Sequence, residues 1–326
     1  MGGIGGKVSP ILPNLLAVVI TMTHHILRPI IRFPVVILGV SILVFLSLRL
    51  IPGDPALTIA GQDATLEQIQ RVRESLGLNR PLPIQYAIWL SNIIKGDFGD
   101  SIVTGRPNLP LLMTRFSATL YLAILATIFA TTLGMIAGLL AASRPYSGID
   151  NFVTISSLVG VSIPSFWLGI ILILIFGVYF GWFPSGGSGT WKHLILPSVS
   201  LGAFSMGIIS RMTRATLLEV MTQDYIRTAR SKGLKTSKVF LVHGLRNALI
   251  PIITVIGLQF GYLLAGAVIT ETVFNYPGLG RLLLLSILSR DYPIVQGSVL
   301  IIATCFVFVN MTIEMLYLLV DPRIRS

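Results

Sequence analysis

The residues best placed to do chemistry are gathered in one stretch, Arg211 to Pro251. It holds eight of the 24 Lys and Arg residues (Arg211, Arg214, Arg227, Arg230, Lys232, Lys235, Lys238 and Arg246) against two acids, Glu219 and Asp224. Charge in this pattern docks a partner or keeps a loop on one side of a membrane; it makes and breaks no bonds. Catalytic ingredients elsewhere are scattered. His24, His25, His193 and His243 show neither metal-ligand spacing nor a neighbouring carboxylate or cysteine cluster. Cys305 stands alone in an apolar run and reads as a small buried hydrophobe. No catalytic residue and no metal site is assigned, and no Gly-x-x-x-x-Gly-Lys-Ser/Thr loop for ATP occurs.

Two short helices must position the basic side chains. From Asp224 to Leu245 the spacing predicts a hairpin joined at Gly233, a residue free to take positive φ as a C-cap. Tyr225, Ile226, Ala229 and Leu234 form an apolar seam at helical spacing. Thr236 or Ser237 is placed to N-cap a second helix through Val239, Phe240 and Val242. The seam has two possible uses: docking on a partner, or packing on the protein's own helices while the cations set topology.

The rest of the chain is membrane helix. Of 326 residues, 53% are hydrophobic and 11% charged, against about 25% charged in an average soluble domain. The apolar runs are too long for strands, so the fold class expected is an all-α membrane protein with six transmembrane helices. The spans are read at about Ile30–Leu50, Ala118–Ala142, Phe152–Phe180, Leu194–Leu218, Asn247–Thr270 and Ile294–Val320. Gly134 and Gly138 in the second span, and Gly257, Gly261 and Gly266 in the fifth, lighten one side for close helix packing. Pro164 sits mid-way in the third span and predicts a kink. Residues 1–27 form an N-terminal extension whose apolar run is too short to span. Between the first two spans lies a soluble excursion with two small amphipathic helices, Leu66 to Leu76 (N-capped by Thr65) and Pro83 to Ile94. The divisions are 1–27, 28–115, a five-helix core 116–320 with its loop at 219–246, and a cytoplasmic tail 321–326.

Lys and Arg of the short loops concentrate on one side: Lys7, Arg28, Arg32, Arg144, the central eight, Arg323 and Arg325, against Lys192, Arg281 and Arg290. Positive-inside sorting then places both termini in the cytoplasm. It also accounts for the net charge of +11 without nucleic acid, since no basic stripe carries aromatics for stacking.

The runs Tyr225-Ile226-Arg227-Thr228-Ala229-Arg230-Ser231-Lys232-Gly233 and His243-Gly244-Leu245-Arg246-Asn247-Ala248-Leu249-Ile250-Pro251 resemble the permease subunit of dipeptide, oligopeptide and nickel ABC importers. Leu48 to Pro55, Gly96 to Ser101, Ser162 to Gly169, Trp182 to Pro184, Glu271 to Arg281 and Asp321 to Arg325 extend the likeness over residues 26–326. The chain departs from the general family pattern in having Arg227-Thr228-Ala229 where Glu-Ala-Ala is usual, so no coupling glutamate is carried over.

The resemblance implies a type I ABC importer permease fold with an extracytoplasmic insertion between helices 1 and 2. It implies an ATPase-coupling loop using Tyr225, Arg227, Ala229, Lys232, Gly233 and Leu234. It also implies the partners: a second homologous permease chain, two ATP-binding subunits that hold ATP and Mg, an extracytoplasmic substrate-binding protein, and the lipids of a prokaryotic inner membrane. Short peptides are the expected cargo, with nickel chelates, opines and glutathione-like compounds open. Ser162, Ser165, Gln259 and Asn310 are candidates for the substrate pathway, and each could equally be a helix-packing contact. The rival class is an ion-coupled secondary transporter, which needs carboxylates at membrane depth, where Glu314 is the one acid read within a span.

Overall fold

The computed structural model describes residues 32–47, 56, 64–75 and 77–320. The N-terminal extension, the Leu48 to Pro55 motif and the tail 321–326 lie outside them. The described chain is helical throughout, without a strand.

The first expected span is described as α1, Arg32–Ser47. The helices α2 (Leu66–Ser75) and α3 (Leu82–Ile94) follow. The start of α2 is a capping box: the Thr65 N–H donates to Gln68 Oε1 at 2.8 Å and the Gln68 N–H to Thr65 Oγ1 at 3.3 Å. Thr65 thus caps as its type predicts. By contrast, α3 is apolar nearly all round rather than amphipathic, with no charged residue from Leu82 to Ile94.

Four stretches are long and apolar enough to cross a bilayer: α4 (Asn108–Ser143), α7 (Lys192–Val220), Thr236–Val273 and Tyr292–Met315. The last of these is the greater part of α12 (Tyr292–Val320). The third expected span is instead a pair, α5 (Gly148–Ser162) and α6 (Ser165–Leu172, running on as a π-helix to Tyr179), each shorter than a full crossing and bent by 102° at the break. The kink expected at Pro164 is therefore a break, and residues 152–180 are not one tilted span. Proline lacks the N–H that would bond back and forces the residue before it out of helical space. Accordingly Ile163 has ψ 123° and Pro164 ψ 135°.

Close packing of α4 on α7 forms the centre of the bundle. A Cβ on Gly134 would lie 2.8 Å from the Met206 carbonyl oxygen, and one on Gly138 2.5 Å from that of Ser210. On the other side of this contact a Cβ on Gly202 would lie 2.8 Å from the Ala126 carbonyl oxygen. Glycine is required where backbones touch, because any side chain would hold the helices apart. The fifth span uses its small residues in the same way: Gly257 and Gly261 receive Ile313 and Phe306 of α12. Leu122 and Ala126 of α4, Leu196 and Leu201 of α7, and Leu263 and Ala267 of the fifth span fill the core between them. Outward, α4 presents Tyr121, Ile128, Ile136 and Leu140. Large apolar side chains are stable on that surface because its solvent is lipid.

Candidate coupling hairpin and outer turn

Three residues after α7 ends, the chain enters α8 (Asp224–Ser231), turns at Gly233 and re-enters a helix at Thr236. Gly233 has φ +74°, and its N–H bonds to the Arg230 carbonyl at 2.9 Å, the C-cap its type predicts. The second arm, α9 (Thr236–Lys238), continues through a π-helical turn, Val239–Gly244, into α10 (Leu245–Val273). Hairpin arm and fifth span are thus one helix from Thr236 to Val273, where two separate helices were expected. The N-cap is Lys235, with Thr236 already inside the helix, so neither Thr236 nor Ser237 caps it.

The seam closes on itself. Ile226 and Val239 are fully buried and Ala229 nearly so, with Met221 and Leu234 packed around them. Tyr225 is left out of the seam, 44% exposed. The six loop candidates therefore divide. Ala229 and Leu234 hold the two arms together and Gly233 makes the turn, while Tyr225, Arg227 and Lys232 project from the hairpin. Arg227 has only the exposed Asp224 nearby, at 3.8 Å. Arg230, Lys235 and Lys238 are also exposed, so the tip presents cations and one aromatic ring to any partner.

Arg214 leaves that basic set. Its guanidinium donates from Nε and Nη2 to the two carboxylate oxygens of Asp150, at 2.5 and 2.7 Å. The Tyr146 N–H also donates to Asp150 Oδ2 at 2.8 Å. The pair bolts the start of α5 to α7 just above the hairpin. Sequence reasoning missed it, since Asp150 lies 64 residues away in the first turn of α5 and carries no local signal of its partner.

At the opposite end of the bundle stands a second polar assembly, the stretch Glu271 to Arg281. Glu271 belongs to the last turn of α10 and is fully buried. Its carboxylate accepts from Thr119 Oγ1 of α4 at 2.5 Å and from the Arg281 N–H at 2.9 Å. The Leu279 N–H donates to Thr119 Oγ1 at 2.8 Å. These donors are free N–H groups in the first turn of α11 (Leu279–Leu288), so Glu271 and Thr119 together cap that helix from outside. A Cβ on Gly278 would lie 2.1 Å from the Glu271 carboxylate. Tyr276 Oη donates to the Ala118 carbonyl at 3.3 Å, and burial, then the Glu271 charge, raise its pKa so that it stays a donor. Beside this turn Asp291, also buried, accepts from Ser101 Oγ and the Ile102 N–H, at 2.5 and 3.2 Å. The excursion is tied down there.

Two of the four pathway candidates bond to α7. Gln259 is buried and accepts from Ser205 Oγ of α7 at 3.3 Å, and the Ser165 carbonyl accepts from Ser200 Oγ of the same helix at 2.6 Å. Ser162 is exposed at the bend and Asn310 half-buried on α12; neither joins those bonds. Glu314 lies 3.8 Å from Arg32 of α1, both about half exposed.

Apolar crossings packed backbone to backbone, ending in one basic hairpin on one side and a buried polar turn on the other, define a multi-pass helical membrane protein. The chain belongs to the binding-protein-dependent transport system inner membrane component family, which matches residues 132–326, with its N-terminal counterpart matching residues 22–136. It is similar to the glutathione transport system permease protein GsiC of Escherichia coli (strain K12), 42% identical over 304 residues, covering 93% of this chain and 99% of the relative. The protein of the same name from Salmonella paratyphi A matches at the same identity and coverage. The inward-facing MetNI methionine ABC transporter shares the fold, with TM-score 0.56 and 21% identity over 65% of this chain and 96% of that one. The chain is accordingly a permease subunit of an ABC importer, with the type I fold.

Proposed function

We propose that this chain forms half of a translocation pore for short peptides, including glutathione-like tripeptides, in a prokaryotic cytoplasmic membrane, with both termini in the cytoplasm. One observation carries the coupling mechanism. The hairpin of residues 224–244 is closed by its own core and is continuous with the fifth span. A push on its tip therefore acts on a helix that reaches the outer turn, rather than being absorbed by a flexible loop. Tyr225, Arg227 and Lys232 meet a groove in a separate ATP-binding subunit, with Gly233 setting the turn that presents them. Closure of two such subunits on ATP and Mg, which they bind and this chain does not, tilts the hairpins and switches the spans between two openings. A second homologous permease chain supplies the other half of the pore. A substrate-binding protein docks on the face made by the excursion and the Glu271 to Arg290 segment. Ser165 and Gln259 are retained as pathway candidates through their link to α7.

The substrate class is supported by the permeases of glutathione transport systems to which the chain is similar over nearly its whole length. The test is uptake by proteoliposomes carrying the purified importer, its binding protein and labelled glutathione or a labelled dipeptide. Uptake that requires ATP is expected. Uptake driven by an ion gradient without ATP would overturn the mechanism.

A further inference from the structure

We propose that α3 is an interfacial helix lying in the bilayer leaflet opposite the coupling hairpin, with phospholipid as the partner of its outer face. Its sequence from Leu82 to Ile94 has no charged residue, while Arg80 and Lys95 bracket it. The neighbouring α2 is the opposite case, with Glu67, Arg71, Arg73 and Glu74 within ten residues. A helix in water needs charge like that of α2. A helix at a lipid surface needs an apolar body with cations at its ends, where they reach phosphates.

Its contacts place α3 beside the membrane. Tyr86 Oη and Ser41 Oγ of α1 lie 2.7 Å apart in a hydrogen bond, and Phe45 of α1 meets the rings of Tyr86 and Trp89 at 5.3 and 5.8 Å. Tyr86 and Trp89 thus pack directly on α1, the helix of the first span. Tyr and Trp concentrate at membrane–water interfaces in membrane proteins. Gln85 does not make α3 polar, because its Nε2 donates to the Leu78 and Arg80 carbonyls at 3.1 and 2.8 Å.

The side of α3 turned away from α1 exposes Ile84 (48%) and Ile88 (40%), and Leu82 (49%) and Ile94 (77%) are exposed at its two ends. α1 likewise exposes Leu38, Ile42, Leu43 and Leu46. Exposed apolar side chains on both helices, with Arg80 and Lys95 bracketing α3 and Tyr86 and Trp89 at the contact, fit an acyl and headgroup environment. The second half of the insertion is thus part of the membrane domain.

The test places the photoreactive residue p-benzoylphenylalanine at Ile84 or Ile88 of the full chain within the assembled importer in native membranes. Leu43 on α1 serves as the lipid control and Leu66 on α2 as the aqueous control. After irradiation, phospholipid adducts are expected at positions 84 and 88, as at 43, and none at 66. Adducts at 84 and 88 only to the substrate-binding protein or another permease chain would overturn the proposal. So would the absence of lipid adducts at both positions while position 43 gives them.

Discussion

Arg214 and Asp150, 64 residues apart in the chain, form a two-bond ion pair between α7 and α5. The Asp150 side chain is 2% exposed and that of Arg214 27%, so removing the arginine strands a carboxylate away from water. Arg214→Ala is expected to cost about 3 kcal/mol, the low end for a buried pair because the guanidinium is partly wet. Thermal unfolding of the detergent-purified importer measures this. A loss no larger than that of a surface arginine such as Arg246→Ala would show the pair to be idle.

The outer turn is set by one carboxylate. Glu271→Ala leaves first-turn N–H donors of α11 and the Thr119 hydroxyl without their acceptor, a loss of roughly 1–3 kcal/mol for the buried groups. Gly278→Ala, which drives a methyl into the same carboxylate, is expected to be at least as harmful. The measurement is unfolding together with ATP-dependent uptake, and full stability with both variants would remove Glu271 from any capping role.

At the hairpin, charge and shape separate. Arg227→Glu with Lys232→Glu leaves the internal core of Ile226, Ala229 and Val239 untouched and reverses the tip's charge. Normal membrane insertion, weak recovery of ATP-binding subunits on purification, and lost uptake are expected. Ala229→Arg breaks the hairpin itself, so it tests folding rather than docking. Should the double charge reversal recover its ATPases and transport normally, the projecting residues are not the contact.

Gly233 at φ +74° is a backbone requirement. Gly233→Ala is expected to cost about 1 kcal/mol, while Gly233→Pro, whose ring demands negative φ, abolishes the turn. Uptake is the readout, with expression as control. Equal activity in both variants would mean that the hairpin tolerates a different turn.

Helix contact at the bundle centre predicts a graded series. Gly138→Ala forces a methyl within 2.5 Å of the Ser210 carbonyl oxygen, and overpacking of this kind costs typically about 1–3 kcal/mol. Gly138→Leu is worse, whereas Gly105→Ala at a loop position with open space around it is limited to the strain of its φ of +64°. Relative melting temperatures of the three variants rank them.

Hydropathy alone located the crossings, because whether a run of twenty residues prefers lipid to water depends on that run and not on its neighbours. The basic hairpin was equally legible: cations, a glycine and an apolar seam at helical spacing are local features, and Gly233 took the positive φ its type permits. Helix ends were less so. The expected hairpin ended at Leu245 and the fifth span began at Asn247, a boundary that Gly244 invites; the structure runs one helix from Thr236 to Val273. At Pro164 the lost N–H was foreseeable, but the 102° bend depends on how α5 and α6 pack.

What only the tertiary structure decided is which polar group meets which. Asp150 with Arg214, Glu271 with Thr119, and Asp291 with Ser101 are each separated by 64 residues or more. Their pairing depends on which helix lies alongside, a non-local fact. The same reason sets α3 against α1: its composition was plain in the sequence, but its place against Ser41 and Phe45 was not. Sequence by itself determined that these segments are membrane helices with a basic hairpin between two of them, since each segment's preference for lipid or water is its own. Folding decided where every buried charge finds its partner, because an ionised group taken out of water must be matched by whatever the packed neighbours supply.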